Sequence, residues 1–168
     1  MPIFLPREMA RHVTDLQPDF FRQRGIRAII LDVDNTLTTH GNPVPAEGVP
    51  EWINRMKDEG FSVAILSNNY RERVEPFARL LGLDFISMAC KPLTFGLTRA
   101  CRRYGLPPAQ VCLIGDQIFT DIVGGNCKGV FTILVEPYEL EQKWSFRLKR
   151  KLEQPIIRKF HKKKGESH

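Results

Sequence analysis

Five short apolar runs, separated by segments of helical periodicity, constrain the fold of this chain more than any other feature. They are Ala28-Ile29-Ile30-Leu31, Val63-Ala64-Ile65-Leu66, Phe85-Ile86, Val111-Cys112-Leu113-Ile114 and Val130-Phe131-Thr132-Ile133-Leu134-Val135. They are brief, rich in β-branched residues and lack polar alternation, as strands buried on both faces do. Between them, Val74, Phe77, Leu80 and Leu81, then Leu97, Ala100, Cys101 and Tyr104, recur at helical spacing. Gly60, Gly82, Gly105 and Gly129 follow such stretches, where a helix C-terminal turn favours glycine. Strand–helix alternation with short links predicts an α/β fold: a Rossmann-like, doubly wound parallel sheet with helices on both sides.

In such a sheet, ligands bind beyond the carboxyl ends of the strands. Asp32, Ser67 and Asp116 each follow an apolar run directly or after one residue, so three polar groups are expected at one edge. Taken singly, each cluster has a plain alternative. Asp32-Val33-Asp34-Asn35-Thr36 is either a turn or a pair of carboxylates that a hard cation such as Mg2+ would hold together. Ser67-Asn68-Asn69 reads as a helix cap or as a hydroxyl and N–H groups for phosphate oxygens. Lys91, before Pro92, is undistinguished alone. Gly115-Asp116 with Asp121 five residues later is either a capped helix start or a second pair of acids.

In this order, Asp-x-Asp-x-Thr, Ser, Lys and Gly-Asp-x-x-x-x-Asp resemble the four motifs of the haloacid dehalogenase-like phosphotransferase superfamily, over roughly residues 26–135. A narrower resemblance rests on Pro18-Asp19-Phe20-Phe21 through Gly25-Ile26, the Asp-Asn-Thr-Leu form of the first motif, and Lys91-Pro92. These are similar to the short bacterial YqeG-type branch of subclass IIIA, related to mitochondrial phosphatases acting on phosphatidylglycerophosphate. The resemblance implies a Mg2+-dependent phosphomonoester phosphatase in which Asp32 is the nucleophile and becomes an aspartyl phosphate. It implies that Asp34 protonates the leaving alcohol and then activates water, with Thr36 orienting it. Ser67, Asn68 and Lys91 would hold phosphoryl oxygens. Asp32, the main-chain carbonyl of Asp34 and Asp116 would hold Mg2+, with Asp121 acting through a water or by fixing Lys91.

Only 34 residues separate Asp32 from Ser67 and 23 separate Ser67 from Lys91. Both intervals are used up by a loop, a helix and a strand, so no inserted cap domain is expected and the site should be open. An open site suits a phosphate carried on something large or on a membrane better than a small metabolite needing enclosure, although oligomerisation could supply a lid instead.

The net charge of +6 sits in the C-terminal end: residues 143–164 hold ten Lys or Arg and one acid. The expected division is a catalytic domain over 1–142 and a basic amphipathic tail over 143–168. Trp144, Leu148, Leu152, Ile156 and Phe160 recur every four residues among these cations. That is a pattern for a helix on an anionic membrane surface, or for a last helix packed on the sheet. Pro155 is expected to break it in two. No run is long and apolar enough to span a bilayer, and the N-terminus lacks a secretory pattern. The four cysteines form no C-x-x-C pair and are expected buried and reduced. These features suggest a cytoplasmic protein, peripheral at the inner membrane face, with a phosphorylated substrate for which a lipid phosphate is the leading candidate. Two alternatives stand beside it: a phosphatase for a small soluble metabolite or phosphoprotein, and an RNA- or ribosome-binding protein using the tail.

Overall fold

A computed structural model describes residues 2–139 and 144–165. Lys143, and with it the boundary expected at 142/143, lies outside the described residues. Six parallel strands make one sheet: β1 (Glu8–Ala10), β2 (Ala28–Leu31), β3 (Ser62–Leu66), β4 (Asp84–Ile86), β5 (Val111–Gly115) and β6 (Phe131–Val135), in the order β1-β6-β5-β2-β3-β4. The five apolar runs are β2 to β6. The edge strand β1 escapes a search for such runs because Glu8-Met9-Ala10 is half-buried and not an apolar stretch.

Successive residues of a strand point to opposite faces, and here both faces are covered. Ile29, Leu31, Val63 and Ile65 face one layer, which includes α1 (Pro18–Arg22), α2 (Val49–Asp58) and α3 (Arg71–Leu80) through Phe21, Trp52, Ile53, Met56, Val74 and Phe77. Ala28, Ile30, Ala64 and Leu66 face the other, with Leu97, Ala100 and Cys101 of α4 (Phe95–Tyr104). The short helix α5 (Val123–Lys128) follows a π-helical turn, Ile118–Ile122, on this second side. A small third cluster joins Ile118, Ile122 and Leu134 to Ile156 and Ile157 of the last helix, α6 (Trp144–Gly165).

Three expectations are corrected. Helix α6 runs unbroken through Pro155. A proline removes one backbone hydrogen bond, and here contacts on both sides of it, at Arg150 and Glu153 and at Ile156 and Ile157, hold the helix to the body. The stripe Trp144, Leu148, Leu152, Ile156, Phe160 is not one face either: Trp144, Leu148 and Leu152 are exposed, whereas Ile156 packs inward. Finally, all four cysteines are free thiols, but only Cys101 and Cys112 are buried, and Cys90 and Cys127 are exposed.

The topology fixes where chemistry can occur. From β2 the chain winds outward through β3 and β4, then crosses to β5 on the other side of β2. The carboxyl ends of β2 and β5 therefore border the crevice at the switch point. Leu31 pairs with Ile114, so Asp32 and Asp116 leave the sheet side by side.

Candidate active site

Asp32 continues β2, its N–H donating to the Ile114 carbonyl at 3.0 Å. Lys91, brought in by the segment after β4, donates from Nζ to Asp32 Oδ1 at 2.7 Å and to Asp121 Oδ1 at 2.6 Å. One carboxylate oxygen from each of Asp32, Asp116 and Asp121 lies within 4.8 Å of the other two, and all three residues are buried. Asp121 reaches this position over Gly115: a Cβ there would lie 2.3 Å from the Asp121 carboxyl carbon. Glycine at the end of β5 is thus required by the close approach of the acid.

The electrostatics follow from burial. Loss of solvent pushes the Asp32 carboxyl up to about 7, against the pull of Lys91 and with the help of Asp121. Asp116 is pushed well above its ordinary 3.8 by burial and then by Asp32, with Arg150 pulling the other way. Burial would lower Lys91, but Asp121 and Asp32 outweigh it and hold the ammonium above its ordinary 10.5. Three acids facing two cations, Lys91 and Arg150, are short of positive charge. Asp116 Oδ1 is buried and has no hydrogen-bond partner. An oxygen-only donor set with an orphaned carboxylate oxygen fits a hard divalent cation such as Mg2+. Asp32, Asp116 and Asp121 are the side chains placed to hold it.

Asp34 lies outside that cluster. Its Oδ1 accepts the Gly41 N–H at 2.9 Å and Arg73 Nη2 at 3.1 Å, and its Oδ2 accepts Asn69 Nδ2 at 2.6 Å. Arg73 also donates to the Asn42 carbonyl at 3.0 Å, tying the loop after β2 to α3. The orienting role expected of Thr36 has no hydrogen bond behind it: Thr36 is fully buried, and its Oγ1 has no hydrogen-bond partner. Asn69, Arg73 and the Gly41 N–H orient Asp34 instead.

Ser67 is buried at the end of β3, and its Oγ accepts the Asn69 N–H at 3.2 Å. Asn68 departs from expectation. Its Oδ1 accepts the Lys91 N–H at 2.7 Å and its Nδ2 donates to the Lys91 carbonyl at 3.0 Å. Both ends of the amide clasp the Lys91 backbone, so this side chain positions the lysine and is not turned to phosphate.

A cavity of about 210 Å3 opens on these groups, lined by Asp32, Asp34, Ser67, Asn68, Asn69 and Lys91, and also by His40, Gln117, Thr120, Phe146 and Lys149. Phe146 and Lys149 belong to α6, and the Phe146 ring lies 5.8 Å from that of His40. Among the described residues no cap domain interrupts the sheet, yet the site is not bare: α6 and the loop around His40 wall it. A larger cleft, about 650 Å3, lies by Ser62 and Asp84 at the amino ends of β3 and β4, away from the acid cluster.

The sequence reading placed Asn69 in the second cluster without its contact to Asp34, and missed Arg73, Arg150, Phe146 and Lys149. Arg73 lies in the first turn of α3, six residues after Ser67, and was within reach of a helix-face argument. Nothing marks Arg150 among its basic neighbours.

A doubly wound parallel sheet with a buried aspartate, a lysine and a cluster of acids at its switch point is the arrangement of a hydrolase of the phosphotransfer kind. Residues 43–127 match the family profile of the haloacid dehalogenase-like hydrolases. The probable phosphatase YqeG of Bacillus subtilis (strain 168) is 37% identical over 92% of this chain and 90% of its own. The chain belongs to the haloacid dehalogenase-like hydrolases, and the resemblance to the YqeG-type branch is borne out. The chloroplastic/mitochondrial phosphatidylglycerophosphate phosphatase 1 of Arabidopsis thaliana is 23% identical over 95% of this chain, which spans 49% of the plant protein. Among solved structures, a haloacid dehalogenase family hydrolase from Deinococcus radiodurans R1 with bound phosphate and sodium superposes with a TM-score of 0.60 at 16% identity, covering 76% of this chain and 88% of its own. The D,D-heptose 1,7-bisphosphate phosphatase of B. bronchiseptica, complexed with magnesium and phosphate, gives 0.56 at 19%, covering 65% and 80%. At these identities they bear out the fold.

Proposed function

We propose that this hydrolase is a Mg2+-dependent phosphomonoester phosphatase that works through an aspartyl phosphate on Asp32, and that its substrate is a lipid phosphate of the phosphatidylglycerophosphate kind. The observation that carries the chemistry is the Asp32–Lys91–Asp121 contact beside Asp116 at the switch-point crevice.

An Asp32 oxygen attacks phosphorus, and the bond from phosphorus to the leaving oxygen breaks. Asp34, held by Asn69 and Arg73, gives its proton to the departing alkoxide. The alcohol leaves, and Asp34 takes a proton from the water that attacks the phosphoryl group. The bond to Asp32 breaks, and inorganic phosphate departs. Lys91 offsets charge on the phosphoryl oxygens, and the Ser67 hydroxyl donates to one of them. Asp32, Asp116 and Asp121, with the Asp34 carbonyl, would hold Mg2+, which when bound would supply positive charge that favours ionised Asp32 and offsets the charge of the phosphate.

Two observations support a lipid substrate. The plant relative is named for a lipid phosphate. The outer side of α6 exposes Trp144, Leu148 and Leu152 among basic side chains, a combination suited to an anionic bilayer. Among the described residues no helix is long and apolar enough to cross a membrane, so the contact would be peripheral. The walled cavity of about 210 Å3 favours, as a second reading, a small soluble phosphomonoester.

The test is phosphate release by purified protein with Mg2+ from phosphatidylglycerophosphate in mixed micelles and from soluble sugar, nucleotide and glycerol phosphates. Preference for the lipid is expected. Release confined to soluble compounds would eliminate the lipid, and no release from any phosphomonoester would eliminate the phosphatase. Co-sedimentation of the protein with anionic vesicles and with RNA checks α6 separately.

A further inference from the structure

The last helix reaches the metal-ligand side of the site. Arg150 Nη1 donates to the main-chain carbonyl of Asp116 at 2.5 Å, and its Nη2 donates to Asp116 Oδ2. Glu153, only 2% exposed, accepts Arg150 Nη1 at 3.2 Å and the Ile118 N–H at 2.8 Å. One turn of α6 thus grips both the residue after β5 and the start of the π-helical turn that carries Asp121. Ile156 and Ile157 pack this part of α6 onto Ile118 and Ile122.

We propose that Arg150 is a positioning residue of the active site: from α6 it fixes the Asp116 carboxylate so that its free oxygen faces the divalent cation, which makes the C-terminal helix part of the catalytic unit. The inference rests on the metal-dependent reading given above.

The geometry separates the two oxygens of Asp116. Oδ2 is taken by the guanidinium, whereas Oδ1 is buried and has no hydrogen-bond partner, and one oxygen of this carboxylate lies within 4.8 Å of oxygens of Asp32 and Asp121. A carboxylate free to rotate about its last bond would offer either oxygen. A planar fork that holds the backbone carbonyl and one carboxylate oxygen of the same residue removes that freedom. An exposed ion pair would contribute little, but the Asp116 side chain is fully buried and that of Arg150 is 17% exposed. Groups that orient metal ligands in this way typically change metal affinity or activity by about 10- to 100-fold when removed.

The test compares full-length wild type, Arg150→Ala and Arg150→Lys. Mg2+ binding is followed by calorimetry and by the cation-dependent rise in melting temperature, alongside kcat and KM. For Arg150→Ala, the Mg2+ concentration for half-maximal binding should rise by about 10- to 100-fold. Its kcat should fall while KM for substrate changes little, and added guanidinium should restore part of both losses. Arg150→Lys keeps the charge and the packing but loses the fork, so it should also need more Mg2+. It carries the test if the alanine variant does not fold. Wild-type Mg2+ affinity in the folded variants, or tighter binding, would overturn the proposal, the latter by showing that Arg150 competes with the ion. Absence of saturable Mg2+ binding by wild type would overturn the metal-dependent reading and this inference with it. Wild-type binding with unchanged variants would overturn the inference alone.

Discussion

Lys91 Nζ and Asp32 Oδ1 meet at 2.7 Å in a site where the lysine side chain is 3% exposed and the aspartate 11%. The contact does not satisfy Asp32: burial outweighs the lysine and leaves the carboxyl near 7. The proposed nucleophile is therefore held at a cost to stability, which a bound cation would relieve.

Replacing Asp32 by Asn removes that cost along with the nucleophile. An acid raised from 3.8 to about 7 keeps its proton in the folded state while the unfolded chain has already lost it. The penalty is absent below pH 4, grows through the interval to pH 7, and is constant above, at about 4 kcal/mol. Without divalent cations, Asp32→Asn should melt higher than wild type at pH 8, with the gap less than half as large at pH 5. Its turnover should fall by several orders of magnitude. Paired melting curves at the two pH values check the stability, and equal melting at pH 8 would contradict the assignment of a strained nucleophile.

Lys91→Met should act in the opposite direction. It leaves Asp32 and Asp121 without their shared ammonium. Removing one partner of a buried ion pair destabilises by about 3–5 kcal/mol. Mg2+ should recover part of the loss, because it supplies charge in the same place. Chemical denaturation with and without Mg2+ measures both quantities.

The hold of Asn69 and Arg73 on Asp34 predicts a dependence on the leaving group. General acid catalysis contributes about 10^2- to 10^4-fold when the departing group is a poor one. Asn69→Ala or Arg73→Ala should lower kcat on an alkyl phosphate by at least about tenfold on that scale. The loss should be much smaller on an aryl phosphate whose phenol is acidic enough to leave unprotonated. Equal losses on both substrates would mean that these side chains serve binding and not the acid.

Much of this was legible in the sequence because it is encoded locally. Strands β2, β3 and β5 are continuous buried runs, and Asp32, Ser67 and Asp116 follow them directly. What was not legible depends on packing between distant segments. The amide of Asn68 has the same composition whether it meets phosphate or the Lys91 backbone, and only the fold chooses the second. The stripe in α6 misled for a geometric reason. With 3.6 residues per turn, positions four apart drift by about 40° per step, so Trp144 and Phe160 stand roughly 160° apart around the helix. The docked side instead follows Phe146, Arg150, Glu153, Ile157 and Phe160, at alternating steps of four and three, and it mixes an acid, a cation and apolar groups. No apolar pattern announces such a face.

Gly115 offers the most local test of the acid cluster. A methyl group added there would meet the Asp121 carboxyl at 2.3 Å and its Cβ at 2.6 Å, separations that real atoms do not tolerate. Gly115 is buried at the end of β5, a central strand whose pairing with β2 and β6 leaves the backbone little room to move. Asp121 must then swing away, taking its bonds to Lys91 and to the Gln117 N–H with it. Gly115→Ala should destabilise by about 1–3 kcal/mol, as overpacking does. It should also blunt the stabilisation by Mg2+, which for wild type reaches about 2.7 kcal/mol at a hundred times the dissociation constant. Thermal melts over a Mg2+ series separate the two effects. A variant destabilised as expected but stabilised by Mg2+ to the wild-type extent would show that Asp121 is not needed to hold the ion and serves only to fix Lys91.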